Sequence, residues 1–173
     1  MIDVENCQLV YYPASILNRR TEKVEVFDDN LRQFVERLIS IMAQHRGIGL
    51  AAPQAGVALR LFVVSLEVSP ETAKVYINPS LTPKGAVESL DEGCLSLPGI
   101  YTGVKRYTDC EISSQDLQGN TVTESTEGLY ARCVQHEFDH LEGITLVHRM
   151  DAAAKMVHRR QLKKLEEEYG SRV

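Results

Sequence analysis

The stretch EGLYARCVQHEFDHLE, residues 127 to 142, constrains this chain more than any other. Read as a helix, it begins near Ser125 or Thr126 and stops at Gly143. One stripe holds Leu129, Cys133, His136, Glu137 and His140, and the opposite side holds Tyr130, Val134, Phe138 and Leu141. A helix with apolar residues on both sides has to be enclosed by other elements, so the fold must be built around it. The same helix carries two histidines into that enclosure, where buried polar groups need partners.

The rest of the chain offers the enclosing elements. Residues 28 to 47 carry Leu31, Phe34, Val35, Leu38, Ile39 and Met42 at helical spacing. Asp28 to Asn30 are N-cap candidates there, and Gly47 is the stop signal. Strand-like runs follow at 61–66 (LFVVSL), 74–78 (KVYIN), 109–116 (DCEISSQD) and 121–125 (TVTES), with a hairpin turn at Gln118-Gly119-Asn120. A last helix over about 151 to 168 starts at Asp151 and is expected to turn Met156, Val157, Leu162 and Leu165 inward. This order reads as α+β: antiparallel or mixed sheets around a central metal-binding helix, with N-terminal and C-terminal helices. The 173 residues suit a single domain.

Residues four apart on a helix share a face, so His136 and His140 can chelate one metal ion. Glu137 is rotated by about 100° from His136, beside such an ion rather than on it. This is the mechanical content of an H-E-x-x-H hydrolase motif. The plainer alternative is a pair of helix histidines with a salt-bridged glutamate. A catalytic site needs a third ligand. Cys133 shares the face, but from 133 to 140 the helix rises about 10 Å, and metal bonds are only about 2 Å long. Cys110 shares a strand face with Ile112 and reads as a buried thiol. Cys7 is near a terminus with no ligand neighbours, His148 lies past the helix stop, and His45 and His158 are expected at exposed positions on other helices. Cys94 stands apart. It lies in DEGCLSLPG, residues 91 to 99, bracketed by Gly93 and Pro98, where an extended segment can approach a helix from outside.

The segment GIGLAAPQAG, residues 47 to 56, superficially matches a dinucleotide-binding glycine pattern. It follows a helix rather than a strand, and Pro53 would sit inside any helix that it opened. Two readings stand: a plain loop after a helix, or a place where Gly47 and Gly49 let backbone approach a bound chain while Gln54 offers an amide.

Taken together and in this order, GIGLAAPQ, EGCLS and QHEFDHLEG resemble the three signature motifs of the peptide deformylases. The flanking layout resembles that family too, and the C-terminal helix is similar to that of its bacterial-type members. The resemblance implies a reaction: removal of the formyl group from the N-terminal formylmethionine of newly made polypeptides, with release of formate. It implies Cys94, His136 and His140 as metal ligands and Glu137 as general base and acid. Gln54 and the Leu95 N–H would bind the formyl oxygen, with Gly49 and main chain near Ile48 holding the substrate backbone. A methionine pocket would be lined by Ile48, Leu90, Leu129 and Cys133. Arg132 and Tyr101 stand where some members carry an aliphatic residue and an arginine. The implied ion is Fe2+, one per chain, with Zn2+ or Ni2+ in some forms. Glu92 and Asp139 are candidates to orient the ligand histidines.

Partners follow from charge as well as from the resemblance. The net charge of −5, from 24 acidic and 19 basic residues, argues against DNA or other nucleic acid bound through the whole surface. No apolar run approaches the roughly 20 residues of a membrane helix. The N-terminus shows no secretory leader, so a cytoplasmic protein, or an organelle form after processing, is the expectation. The expected substrates are N-formylmethionyl nascent peptides. Basic residues of the last helix, Lys155, Arg159, Arg160, Lys163 and Lys164, offer a ribosome contact, or else form a solvated charged face. Two other classes compete. A zincin-type peptidase would take a third ligand downstream, with His148 nearest. A non-catalytic metal-stabilised module would close its site with a fourth ligand such as Cys133.

Overall fold

The computed structural model describes residues 1–170. Its spine is one five-stranded antiparallel sheet in the order β1-β2-β3-β4-β5. The strands are β1 (Gly49–Ala51), β2 (Leu61–Val64), β3 (Lys74–Gly93), β4 (Tyr101–Gln115) and β5 (Thr121–Glu127). Four helices accompany it: α1 (Asp29–Gln44), α2 (Gly128–Leu141), α3 (Leu146–Arg149) and α4 (Ala152–Tyr169). The architecture is α+β, as the element order predicts, and no described helix is long and apolar enough to cross a membrane.

β2 explains how the layers are joined. All of its residues are buried, and they alternate between two clusters. Leu61 and Val63 pack with Phe34, Leu38 and Met42 of α1. Phe62 and Val64 pack with Ala131, Cys133 and Val134 of α2. Period-two alternation therefore puts α1 on one face of the strand and α2 on the other, and an unbroken apolar run is what such a strand needs.

α1 starts where expected, with the Asp28 side chain accepting from the Leu31 N–H. Ile41 is buried in its stripe, whereas Ile39 is only partly covered. Its end differs from the expectation. The left-handed residue is Arg46 (φ 55), not Gly47. The Gly47 N–H donates to the Met42 carbonyl at 2.9 Å and the Arg46 N–H to the Ala43 carbonyl at 3.0 Å, the two bonds of a Schellman ending. Gly47 is needed for space instead: a Cβ there would lie 2.6 Å from Leu95 Cδ1.

β3 runs far beyond the apolar run at 74–78, reaching Gly93 and pairing with β4 as a long hairpin. Beyond Leu81 it is exposed on both faces until Glu92, so it has no apolar alternation to be read. Its far half pairs only with β4 and is a sheet edge, which accommodates Pro83. β4 alternates clearly, with Thr102, Val104 and Arg106 buried and Tyr101, Gly103 and Lys105 exposed.

α4 is capped by Asp151, whose side chain accepts from the Ala154 N–H. Leu165 is buried and Leu162 partly so, but Met156 and Val157 are 78% and 75% exposed, against the expectation that they turn inward. The packed face runs through Ala154, Leu162, Leu165 and Tyr169, and position 156 lies nearly opposite 154 on a helix. This face covers Leu97, Ile100 and Met150. Gln161 also donates to the Gly99 carbonyl at 3.2 Å, so α4 braces the loop that follows Cys94.

Two glycines test how firmly the turns are held. Gly143 (φ 72) and Gly99 (φ 76) both have left-handed backbone. A Cβ at Gly143 would lie 2.9 Å from backbone atoms of Asn18 and Arg19, while one at Gly99 meets nothing within 4 Å. Gly99→Ala should lower stability by the ~1–2 kcal/mol that this conformation costs an L-residue, and Gly143→Ala by clearly more. Urea unfolding of both variants checks this; equal losses would mean that the end of α2 can shift to admit the methyl.

Candidate metal centre

α2 lies against β1, β4 and β5 and positions the site. Three of its polar residues besides the histidine motif are buried: Arg132, Gln135 and Asp139. Gln135 acts as a piece of strand. Its amide oxygen accepts from the Tyr107 N–H at 3.1 Å, and its amide nitrogen donates to the Tyr107 carbonyl at 2.8 Å. With α2 fixed to β4 in this way, its opposite edge faces a cavity of about 530 Å³.

His136 and His140 lie one turn apart, with ring centroids 5.2 Å from each other. Cys94, just past the end of β3, is brought to them from 42 residues upstream of His136. One ligand atom from each of the three falls within 4.8 Å of the others. Cys94 Sγ is 3.4 Å from His140 Nε2 and also 3.4 Å from Gln54 Nε2. Two imidazoles and a thiol at this spacing fit one ion of the zinc or ferrous type. Among the described residues the group holds no fourth member. Cys133 lies outside it; burial pushes its thiol well up, and its Sγ donates to the Ile48 carbonyl at 3.5 Å. His148 is exposed, and its Nδ1 accepts from the Thr145 N–H at 3.0 Å.

Glu137 is buried beside this group, and its Oε2 has no hydrogen-bond partner among the described residues. Burial pushes its carboxyl up to about 7, although the positive charges of His136 and Arg106 pull the other way. An unpartnered buried carboxylate oxygen next to three ligand atoms fits a site that takes an ion and a water. Gly49 makes room for it: a Cβ there would lie 2.5 Å from Glu137 Oε1 and 2.8 Å from Cys133 Sγ. Gln54 is fully buried and held from both ends. Its Oε1 accepts from the Ala51 N–H at 2.9 Å, and its Nε2 donates to Ser96 Oγ at 3.2 Å. The Leu95 N–H, next to Cys94, donates to no group among the described residues.

Ile48, Leu129 and Cys133 line the cavity as expected. Leu90 does not; it stands on the exposed part of β3, 54% exposed and paired with Val104. Its strand is a free edge there, and no local pattern distinguishes that from a lining position. Arg132 and Tyr101 also line the cavity.

Sequence reasoning named Glu92 as a carboxylate for a histidine but missed the arginines that clamp it behind the site. Glu92 Oε2 lies 2.9 Å from His136 Nδ1, which leaves Nε2 of that ring for an ion. Arg106 grips Glu92 with two nitrogens at 2.8 and 3.0 Å, and Arg132 adds a third contact at 2.7 Å. Burial alone would raise the Glu92 carboxyl, but His136 and Arg106 outweigh it and hold it at about 2. Asp139 touches no histidine. It pairs with Arg106 at 2.7 Å and with Arg149. The available signal was Arg106 itself, a charge on the buried face of an alternating strand.

A buried carboxylate oxygen left unpaired beside three residues that could hold one ion fits the site of a metal-dependent hydrolase. Comparison with known proteins agrees. The family model described as polypeptide deformylase matches residues 6–156. A peptide deformylase of Zymomonas mobilis subsp. mobilis is 44% identical over 142 residues, 78% of this chain and 80% of that one. Peptide deformylase 1B of Arabidopsis thaliana, chloroplastic/mitochondrial, is 36% identical over 94% of this chain and 60% of its own length. The crystal structure of the peptide deformylase from Plasmodium falciparum superposes with a TM-score of 0.91, at 37% identity, over 95% of this chain and 98% of that one. The chain belongs to the polypeptide deformylase family and is a metal-dependent enzyme that removes the formyl group from formylated new polypeptides.

The clamp yields a prediction. Glu92→Gln keeps the shape but removes the charge that holds His136 and faces two guanidinium groups. Metal affinity, read by competition with a chelator, should fall about 10–100-fold. Unchanged affinity would mean that His136 needs no anchor.

Proposed function

We propose that Cys94, His136 and His140 hold the catalytic ion, that Fe2+ is the working metal, and that Zn2+ or Ni2+ can take its place. The observation that carries this is the convergence of those three ligand atoms within 4.8 Å beside the unpartnered Glu137 Oε2. Bound there, the ion supplies a Lewis acid and brings the pKa of a water towards about 7.

The chain's own residues do the rest. Glu137 takes the proton of the attacking water and hands it to the leaving amine; its raised pKa, about 7, suits both directions. The Gln54 amide and the Leu95 N–H donate to the formyl oxygen as negative charge grows on it. Gln54 is ready for this because Ala51 and Ser96 fix its orientation. Gly49 and the main chain at Ile48 hold the substrate backbone along the free side of β1, which pairs only with β2. Ile48, Leu129 and Cys133 receive the methionine side chain.

The substrates are nascent chains that begin with formylmethionine. Lys155, Arg159, Arg160, Lys163 and Lys164 of α4 are all exposed and form the surface through which the enzyme meets the ribosome. We place the protein in the cytoplasm, or in an organelle after processing, and treat residues 1–173 as one catalytic domain. The last three residues lie outside those described. Support for a single unit comes from α4, whose apolar face covers the loop next to Cys94.

The direct experiment is formate release from a formyl-Met peptide, with metal content measured on the same sample. Two outcomes are expected in detail. Glu137→Gln should keep the ion and lose at least about 10² in rate; near-normal turnover would remove Glu137 from the mechanism. Acetyl-Met peptides should be rejected by more than the about 10–200-fold that one methylene brings in an ordinary apolar pocket. Space beside Gly49 is narrow, since even a Cβ there would lie 2.5 Å from Glu137 Oε1 and 2.8 Å from Cys133 Sγ. Comparable rates on formyl and acetyl peptides would defeat this placement.

A further inference from the structure

The last turn of α1 holds an arginine where its backbone favours glycine. Arg46 follows the helix cap in left-handed conformation, with φ 55. That is the position where a residue without Cβ is ordinarily found. Among the described residues, three non-glycine residues have positive φ: Arg46, Val68 and Asn78. The side chain of Asn78 accounts for its own conformation, accepting from the Val24 N–H at 2.8 Å and donating to the Val24 carbonyl and to Gln115. Val68 lies in the turn after β2, away from the cavity. Arg46 lines the cavity. Its side chain is exposed and makes no hydrogen bond or ion pair among the described residues. The two Schellman bonds at the end of α1 account for its backbone, but no contact among the described residues engages its guanidinium, which is left to take a ligand.

The surroundings set the sign of that ligand. His45, next to Arg46 in sequence, also lines the cavity and is exposed. The lining also carries Asp91 and the exposed ring of Tyr101, which lies so close to Gly93 that a Cβ there would sit 2.7 Å from it. Glu92 lies deeper and is neutralised by Arg106 and Arg132. The Arg46 guanidinium is therefore a cation of the lining without a partner among the described residues, and its fork can take a carboxylate. From Gly49 back to Arg46 is three residues through a turn, at most about 10 Å, within the reach of the second or third residue beyond a peptide's start.

We infer that Arg46 is a specificity-determining residue of the peptide groove, taking an acidic side chain two or three residues after the formylmethionine. This rests on the placement of the formyl group beside Gly49 and Gln54 proposed above. The contact is exposed, so its effect is modest, about two- to fivefold in kcat/KM, and is screened by salt.

The test compares kcat/KM on formyl-Met peptides that differ only in Asp, Ala or Lys at the second or third position. It uses the parent, Arg46→Gly, Arg46→Glu and Arg46→Lys, each metal-loaded, at low salt and at about 1 M salt. In Arg46→Gly the Asp-to-Lys ratio should fall about two- to fivefold while Tm rises, because glycine relieves the left-handed residue. Arg46→Glu keeps the backbone strain but should invert the preference. Arg46→Lys should keep its sign. High salt should flatten the differences. An unchanged ratio in both Arg46→Gly and Arg46→Glu overturns the inference while leaving the activity intact. A lower Tm in Arg46→Gly overturns it too, since the arginine would then be stabilising the end of α1. If the parent releases formate from none of the peptides, the placement of the formyl group fails first and takes this inference with it.

Discussion

The site depends on one buried carboxylate. Glu92 ends β3 and touches Arg106 of β4 and both Arg132 and His136 of α2. Through Arg106 the network continues to Asp139 and on to Arg149 of α3. Burying these charges is expensive unless each is paired, and removing one partner from such a pair typically costs about 3–5 kcal/mol. The arrangement holds because the carboxylates are shared among guanidinium groups, and the planar forks of Arg106 and Arg132 each reach two elements. The consequence reaches the metal centre directly. The ring of His136 can turn only as far as its bond to Glu92 allows, so a strand end sets the direction of a proposed helix ligand.

Space is the second constraint, and glycine supplies it. Gly47 lets Leu95 come close, and Gly49 lets Glu137 and Cys133 come close. In both places the absent Cβ is the point, since neither glycine has positive φ. The glycine-rich segment is thus neither a phosphate loop nor a plain connector. It is a short edge strand with a helical turn after it, packed so tightly on α2 that a methyl group at Gly49 would displace the general base proposed here.

α4 shows how a peripheral element serves the centre. Its apolar contacts are few, yet they cover Leu97 and Ile100, in the loop that returns the chain from Cys94 to β4. Tyr12 adds a bond to Glu166 at 2.8 Å, and its own N–H donates to the Ser96 carbonyl at 2.9 Å. The N-terminal segment, the last helix and the loop carrying the proposed third ligand therefore support one another.

Local periodicity made α1, α2 and α4 legible, because a helix that buries one side repeats its apolar residues every three or four positions. The pairing of His136 with His140 was legible for the same reason, as was the exclusion of Cys133 from that pair, since the rise per residue is a property of the helix alone. The sequence by itself therefore determined the helices, the two-histidine face and the continuous apolar run of β2. The tertiary structure decided what depends on distant segments meeting. Cys94 reaches the histidines only because the β3–β4 hairpin ends beside α2. Glu92, and not Asp139, orients a histidine because Arg106 and Arg149 engage the latter. Leu90, Met156 and Val157 face outward because nothing packs over them, and an apolar residue looks the same in sequence whether or not a neighbour arrives to cover it.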